Sequence, residues 1–211
     1  MAIELPVFGL SRLRMTTDGA GITTLVGCLG CPLDCKWCLN PHARLADTRH
    51  ARVSPERLVE LLEQDSIYFS ATGGGVTFGG GEALLHAAFI RAFREVCPAD
   101  WRIAVETSLN VSEESARLCL DCVDEWIVDI KDMNPDIYAR YTGASPEKRD
   151  ANLRLLAENC PQKANIRIPR IPGYNAEADV ERSAEQLRQM GFSRFDRFEY
   201  VDPEHRNRHN I

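Results

Sequence analysis

The sequence predicts an α/β fold in one domain spanning residues 1–211, arranged as a partial (β/α)6 barrel. Three observations lead there. Apolar, β-branched runs alternate with helical periods six times along the chain. No linker-like or low-complexity stretch divides it. One of the runs carries charge on a face that a doubly covered flat sheet would keep apolar.

Strands are expected at residues 22–26, 76–78, 103–107, 126–130, 165–168 and 198–201. Ser54-Pro55 starts a first helix with an N-cap and a proline at N1, and Leu58, Leu61 and Leu62 form its apolar face. Residues 83–97 place Leu84, Leu85, Ala88, Phe89, Ala92, Phe93 and Val96 at helical spacing. Ser112 caps a third helix with Glu113 and Glu114 in its first turn, where the helix dipole favours acids. Further helices are expected at 150–160 and 177–190, the latter closed by Gly191. In the fourth run, Asp129 and Lys131 share one face while Trp126, Val128 and Ile130 share the other. Buried charges must be paired, hydrated or bound to a ligand, and a polar barrel lumen provides for that better than an open sheet.

Composition excludes several classes. Lys and Arg number 25 against 31 Asp and Glu, a net charge of −6 that does not suit a general nucleic-acid binder. No stretch approaches the ~18 apolar residues that span a bilayer, and the N-terminus lacks the pattern of a signal peptide. Four of the eight cysteines fall between Cys28 and Cys38, which points to a metal or cluster in a compartment that keeps thiols reduced, the cytoplasm.

That segment reads Gly27-Cys28-Leu29-Gly30-Cys31-Pro32-Leu33-Asp34-Cys35-Lys36-Trp37-Cys38. Core thiols do not follow this spacing. Two zinc-knuckle pairs only three residues apart are short for one tetrahedral ion, and a four-cysteine ferredoxin site has a different order of gaps. The remaining reading takes Cys31, Cys35 and Cys38 as a C-x3-C-x2-C triad holding three irons of a [4Fe–4S] cube and leaving the fourth open. Cys28 is then a non-ligand or a redox-sensitive thiol. Cys97, Cys119, Cys122 and Cys160 are read as structural.

With an aromatic, Trp37, before its last cysteine, this triad resembles the signature of the radical S-adenosylmethionine superfamily. Gly80-Gly81-Glu82, some forty residues on, is similar to the family's Gly-Gly-Glu element. The strand ends add Glu106-Thr107, Asp129-Ile130-Lys131, Ile166-Arg167-Ile168 and His205, as active sites of (β/α) barrels require. The resemblance narrows to the glycyl-radical-enzyme activating enzymes through Asp18-Gly19-Ala20-Gly21-Ile22, the run from Gly74 to Glu82, Asp129 to Met133, Tyr141-Thr142-Gly143, and Ile166 to Gly173.

The resemblance implies a radical SAM barrel, one [4Fe–4S] cluster on Cys31, Cys35 and Cys38, and S-adenosylmethionine bound by Trp37, Gly80, Gly81, Glu82, Lys131, Arg167 and His205. It implies a monovalent cation at Glu106, Thr107 and Asp129, with Glu106 where the family has Asp. The implied reaction is reductive cleavage of S-adenosylmethionine and removal of hydrogen from a glycine of a partner glycyl radical enzyme, with a flavodoxin- or ferredoxin-type reductant. Gly79 stands in place of a Ser and Thr23 in place of an Arg. No second cysteine-rich insertion separates Cys38 from Gly79, and the sequence stops soon after His205. The alternatives are a radical SAM enzyme acting on a small molecule or peptide, and a non-catalytic iron–sulfur or zinc protein.

Overall fold

A computed structural model describes residues 3–15 and 17–200 of the chain. Eight strands form one sheet: β1 (Leu5–Met15), β2 (Ile22–Cys28), β3 (Ala51–Val53), β4 (Gly75–Gly80), β5 (Arg102–Thr107), β6 (Glu125–Asp129), β7 (Ala164–Arg170) and β8 (Arg194–Glu199). Their order is β3-β1-β2-β4-β5-β6-β7-β8. From β2 through β8 every neighbouring pair is parallel. These are the six expected strands, and among the described residues the sheet does not close on itself, as a partial barrel requires.

β1 pairs antiparallel with both β2 and β3 and was not expected. Its sequence dilutes apolar residues with Arg12 and Arg14, and β3 is too short to carry a period. The sixth parallel strand begins at Arg194, not at 198; Val201 and His205 lie outside the described residues. β6 ends at Asp129, one residue earlier than expected.

The helices are α1 (Pro55–Leu62), α2 (Ser66–Thr72), α3 (Ala87–Val96), α4 (Glu113–Cys119), α5 (Pro135–Thr142), α6 (Glu147–Asn159) and α7 (Glu177–Gln189). Ser54 and Ser112 cap α1 and α4 through their side chains, as the sequence indicates. The expected helix at 83–97 divides into a 3-10 turn, Ala83–His86, and α3. The turn arises where the Glu82 carboxylate takes the Leu84 amide. α3 buries Phe89, Ile90 and Phe93, and Phe78 of β4 meets the rings of Phe89 and Phe93 edge-on at 6.3 and 5.4 Å. Each fully buried side chain of this size contributes roughly 1.5–3 kcal/mol.

α5 was not expected, although its signals are local. The Asn134 side chain accepts from the amides of Asp136 and Ile137, Pro135 occupies N1, and Gly143 ends the helix at φ 72°. Gly74, by contrast, is a packing glycine: a Cβ there would lie 1.9 Å from the carbonyl oxygen of Ile22.

Candidate active site

The carboxyl ends of the parallel strands surround a cavity of about 490 Å3, within the range of small-molecule sites. Cys31, Cys35, Cys38, Trp37, Gly80, Gly81, Glu82, Glu106, Thr107, Asp129, Lys131 and Arg167 all line it. Of the site residues read from sequence only His205 is missing, because it lies outside the described residues. A second cavity of about 510 Å3, between β1, β3 and α1, contains none of them.

The cysteine loop is fixed by its neighbours' backbones. The amides of Gly81 and Glu82 donate to the carbonyls of Cys28 and Gly30 at 3.0 and 2.7 Å. On the other side, the amides of Asp34 and Lys36 donate to the carbonyls of Thr142 and Tyr141 at 2.8 and 3.1 Å. The last carbonyls of a helix lack partners within it, and α5 finds them in the residues flanking Cys35. This accounts for the Tyr141-Thr142-Gly143 motif.

The thiols of Cys31, Cys35 and Cys38 are free and partly exposed. Burial pushes the Cys31 thiol up to about 11, and raises Cys35 against the pull of Lys131. Cys28 is wholly buried, its thiol directed to the Val26 carbonyl and pushed up to about 12 by burial. Neither Cys28 nor Cys97, Cys119, Cys122 or Cys160 lines the cavity.

Lys131 and Arg167 meet carboxylates in the lumen. Lys131 Nζ lies 2.9 Å from Asp129 Oδ2 and donates to the Tyr200 hydroxyl at 2.7 Å. Lys131 lies beyond β6 with φ 65°, so it reaches the Asp129 side by a left-handed turn and not by the alternation expected of a continuing strand. That backbone costs an ordinary residue about 1–2 kcal/mol, and such strain concentrates at functional sites. The guanidinium of Arg167 lies 3.4 Å from Glu106, 3.8 Å from Asp129 and 3.6 Å from Asp196, over the Phe198 ring. Burial raises Asp129, but Lys131 and Arg167 more than offset it and leave the carboxyl below its usual range. Burial would lower Lys131, yet Asp129 reverses the sign and holds it charged. Glu106 is raised, chiefly by burial and then by repulsion from Asp129.

Glu82 is 2% exposed and its carboxylate is saturated. One oxygen accepts from Thr107 Oγ1 at 2.6 Å and the Leu84 amide at 3.2 Å. The other accepts from the Ser108 hydroxyl at 2.6 Å and the Ser108 amide at 2.9 Å. A carboxylate offers about four lone-pair sites, so a ligand amine reaching these oxygens would displace a hydroxyl. Glu82 thus locks the end of β4 to the end of β5. The oxygen set named for a monovalent cation is likewise engaged: Thr107 donates to Glu82, while Glu106 and Asp129 face Arg167.

Sequence reasoning did not single out Arg14, Asp18, Asn40, Ser108, Tyr141, Phe198 and Tyr200 as site residues, although all line the cavity. Asp18 and Tyr141 lay in quoted motifs and could have been found there. Tyr200 carries no local signal. Its ring is stacked 6.4 Å from that of Tyr141, whose hydroxyl is buried.

The family model described as "Radical SAM superfamily" matches residues 25–187. The isethionate sulfite-lyase activating enzyme of Desulfovibrio desulfuricans is 29% identical over 231 residues, covering 80% of this chain and 74% of that protein. The pyruvate formate-lyase 1-activating enzyme of Escherichia coli is 30% identical over 187 residues, covering 83% and 72%. The crystal structure of a domain of a pyruvate-formate lyase-activating enzyme from Bacteroides vulgatus superimposes with a TM-score of 0.53 at 27% identity, covering 64% of this chain and 89% of that domain.

Proposed function

The chain belongs to the radical SAM superfamily, on the branch of the glycyl-radical-enzyme activating enzymes, and from that premise we propose that it activates a partner glycyl radical enzyme by removing hydrogen from one of its glycines. The observation that carries this reading is a single cavity at the strand ends, lined by the three cysteines of the triad and by the cations of Lys131 and Arg167.

The residues present fit a [4Fe–4S] cluster. Of the eight cysteines, only the three with the right spacing open into the cavity, and none of them is tied up in a disulfide. When bound, the cluster supplies an open iron for the amino and carboxylate groups of S-adenosylmethionine and the electron that cleaves its sulfonium. Holding the cofactor oriented converts a bimolecular encounter into an effectively unimolecular one, and that task falls to the protein. Lys131 and Arg167, charged and held in place by Asp129 and Glu106, meet the negative end of the cofactor. Gly80 and Gly81 let the β4 end approach closely, and Trp37, edge-on to Tyr174 at 6.4 Å, closes the wall beside Cys35 and Cys38.

One cluster suffices in this reading. The alignment with the Desulfovibrio protein runs 231 residues against 80% of this 211-residue chain, so that relative carries segments absent here. A one-electron donor of flavodoxin or ferredoxin type is the corresponding reductant. A monovalent cation at Glu106, Thr107 and Asp129 would share its carboxylates with Arg167, and cofactor affinity in sodium, potassium and lithium salts at equal ionic strength tests for it. No helix among the described residues is long and apolar enough to cross a membrane, and a cytoplasmic location agrees with eight unpaired thiols.

The test is anaerobic. The reconstituted, reduced protein is mixed with S-adenosylmethionine and the glycyl radical enzyme encoded nearest to it. A doublet in the EPR spectrum that collapses on Cα deuteration of glycine is expected. Cofactor cleavage without any protein radical, accompanied by stoichiometric change in a small metabolite or peptide, would replace this reading with the small-substrate one.

A further inference from the structure

Gly79 and Glu106, two positions that the resemblance marks as departures, touch in the fold. They lie on adjacent parallel strands, one step beyond the Phe78–Val105 pair. Gly79 is not among the residues with positive φ, so its backbone would accept any side chain, and only space forbids one. A Cβ on Gly79 would stand 2.6 Å from Glu106 Oε2, 3.2 Å from Glu106 Cβ and 3.0 Å from Leu25 Cδ1. The carboxylate of Glu106 therefore fills the volume that a side chain at 79 would claim. From that position its other oxygen reaches Arg167 Nη1 at 3.4 Å.

Among the described residues, this is the hydrogen bond that the Arg167 side chain makes. Its remaining partners, Asp129 and Asp196, stand at 3.8 and 3.6 Å. Its buried Nε forms no hydrogen bond among the described residues. Charge, and not a saturated set of hydrogen bonds, holds the guanidinium, and a shift of Glu106 would let it swing. A shorter acid at 106 would withdraw the nearest of these atoms, leaving Leu25 Cδ1 and the Cβ of residue 106 to give by a few tenths of an ångström.

We propose that Gly79 and Glu106 form one size-matched unit that sets the reach of Arg167 into the cavity, which makes Glu106 a positioning residue for recognition of the cofactor carboxylate. The last clause rests on the function proposed above; the packing unit does not. Because the atom within 3 Å is the tip of a flexible side chain, a substitution at 79 chiefly moves the carboxylate.

Gly79→Ser, Glu106→Asp and the double variant are compared with the parent by two measurements. The first is equilibrium S-adenosylmethionine affinity of the reconstituted proteins at equal iron content. The second is the rate of phenylglyoxal modification of Arg167, followed by peptide mass spectrometry without cofactor. Each single change is expected to weaken affinity about tenfold, the worth of one hydrogen bond to a charged group, and to speed modification of Arg167. The double variant is expected to return both towards the parent. Single changes without effect, or a double variant whose losses simply multiply, would overturn the unit. A parent that fails to bind S-adenosylmethionine would refute the functional reading, while the modification rates would still decide the packing unit.

Discussion

The backbone amide of Glu82 donates to the carbonyl of Gly30 at 2.7 Å, joining the loop after β4 to the loop that carries the cysteine triad. The neighbouring Gly81 comes closer still, since a Cβ there would lie 2.3 Å from the Gly30 oxygen and 2.6 Å from that of Cys28. Backbone cannot retreat as a side-chain tip can. Gly81→Ala is therefore expected to cost about 1–3 kcal/mol of stability and to lower iron loading several-fold, measured by thermal melting and iron analysis.

The cysteines divide by where they point. Cys31→Ala, Cys35→Ala and Cys38→Ala should each reduce iron from about four per chain towards none. Cys28→Ala removes a buried thiol outside the cavity and should leave iron content and cofactor cleavage near the parent level. Iron and sulfide analysis with the visible spectrum checks both. Loss of the cluster in the Cys28 variant would restore the four-ligand alternative.

Lys131 is 7% exposed and tied to Asp129 and Tyr200. Lys131→Ala leaves Asp129 with Arg167 alone, and breaking a partly buried pair should cost about 1–3 kcal/mol, less than a fully buried one. Cofactor affinity is expected to fall at least about tenfold with iron retained. Calorimetric titration with S-adenosylmethionine measures it, and an unchanged affinity would remove Lys131 from the binding set.

Gly143 lets α5 end where its carbonyls can hold Asp34 and Lys36. Its φ of 72° means that Gly143→Ala should cost about 1–2 kcal/mol. The consequence for function is a looser Cys35 loop. The variant should fold but lose iron to a chelator faster than the parent, followed by absorbance. Equal rates would show that the cysteine loop does not depend on this helix end.

Glu106 gives a pH signature. Because burial and Asp129 raise its carboxyl, the native protein binds a proton there more tightly than the unfolded chain does. Stability is therefore lost as pH rises from the ordinary carboxylate range through the raised value. Glu106→Gln removes that loss. Its melting temperature should match the parent near the ordinary carboxylate value of about 4.5 and exceed it increasingly as pH rises above that, while its hold on Arg167, and hence cofactor affinity, falls. Parallel melting curves across this range would contradict the raised carboxyl.

The sequence by itself determined the parallel half of the architecture and pointed to the strand ends as the place of the site, without Arg14, Ser108 or Tyr200, which also line the cavity. Strand period, helix caps such as Ser54 and Ser112, and the spacing of Cys31, Cys35 and Cys38 are written in residues a few positions apart, where local geometry acts directly. β1 escaped because its outer half is half-exposed and diluted with Arg12 and Arg14, β3 because three residues carry no period, and α5 escaped although Asn134-Pro135 and Gly143 mark its ends. What only the tertiary structure decided is how residues far apart in the chain divide the lumen between them. Glu82 is saturated by Thr107 and Ser108, Arg167 is suspended between Glu106 and Asp129, and the amides beside Cys35 are held by α5. Each depends on strand register and on excluded volume between chain segments. A glycine at 79 and a glutamate at 106 look like two unrelated departures until the sheet sets them side by side and one fills the space that the other leaves.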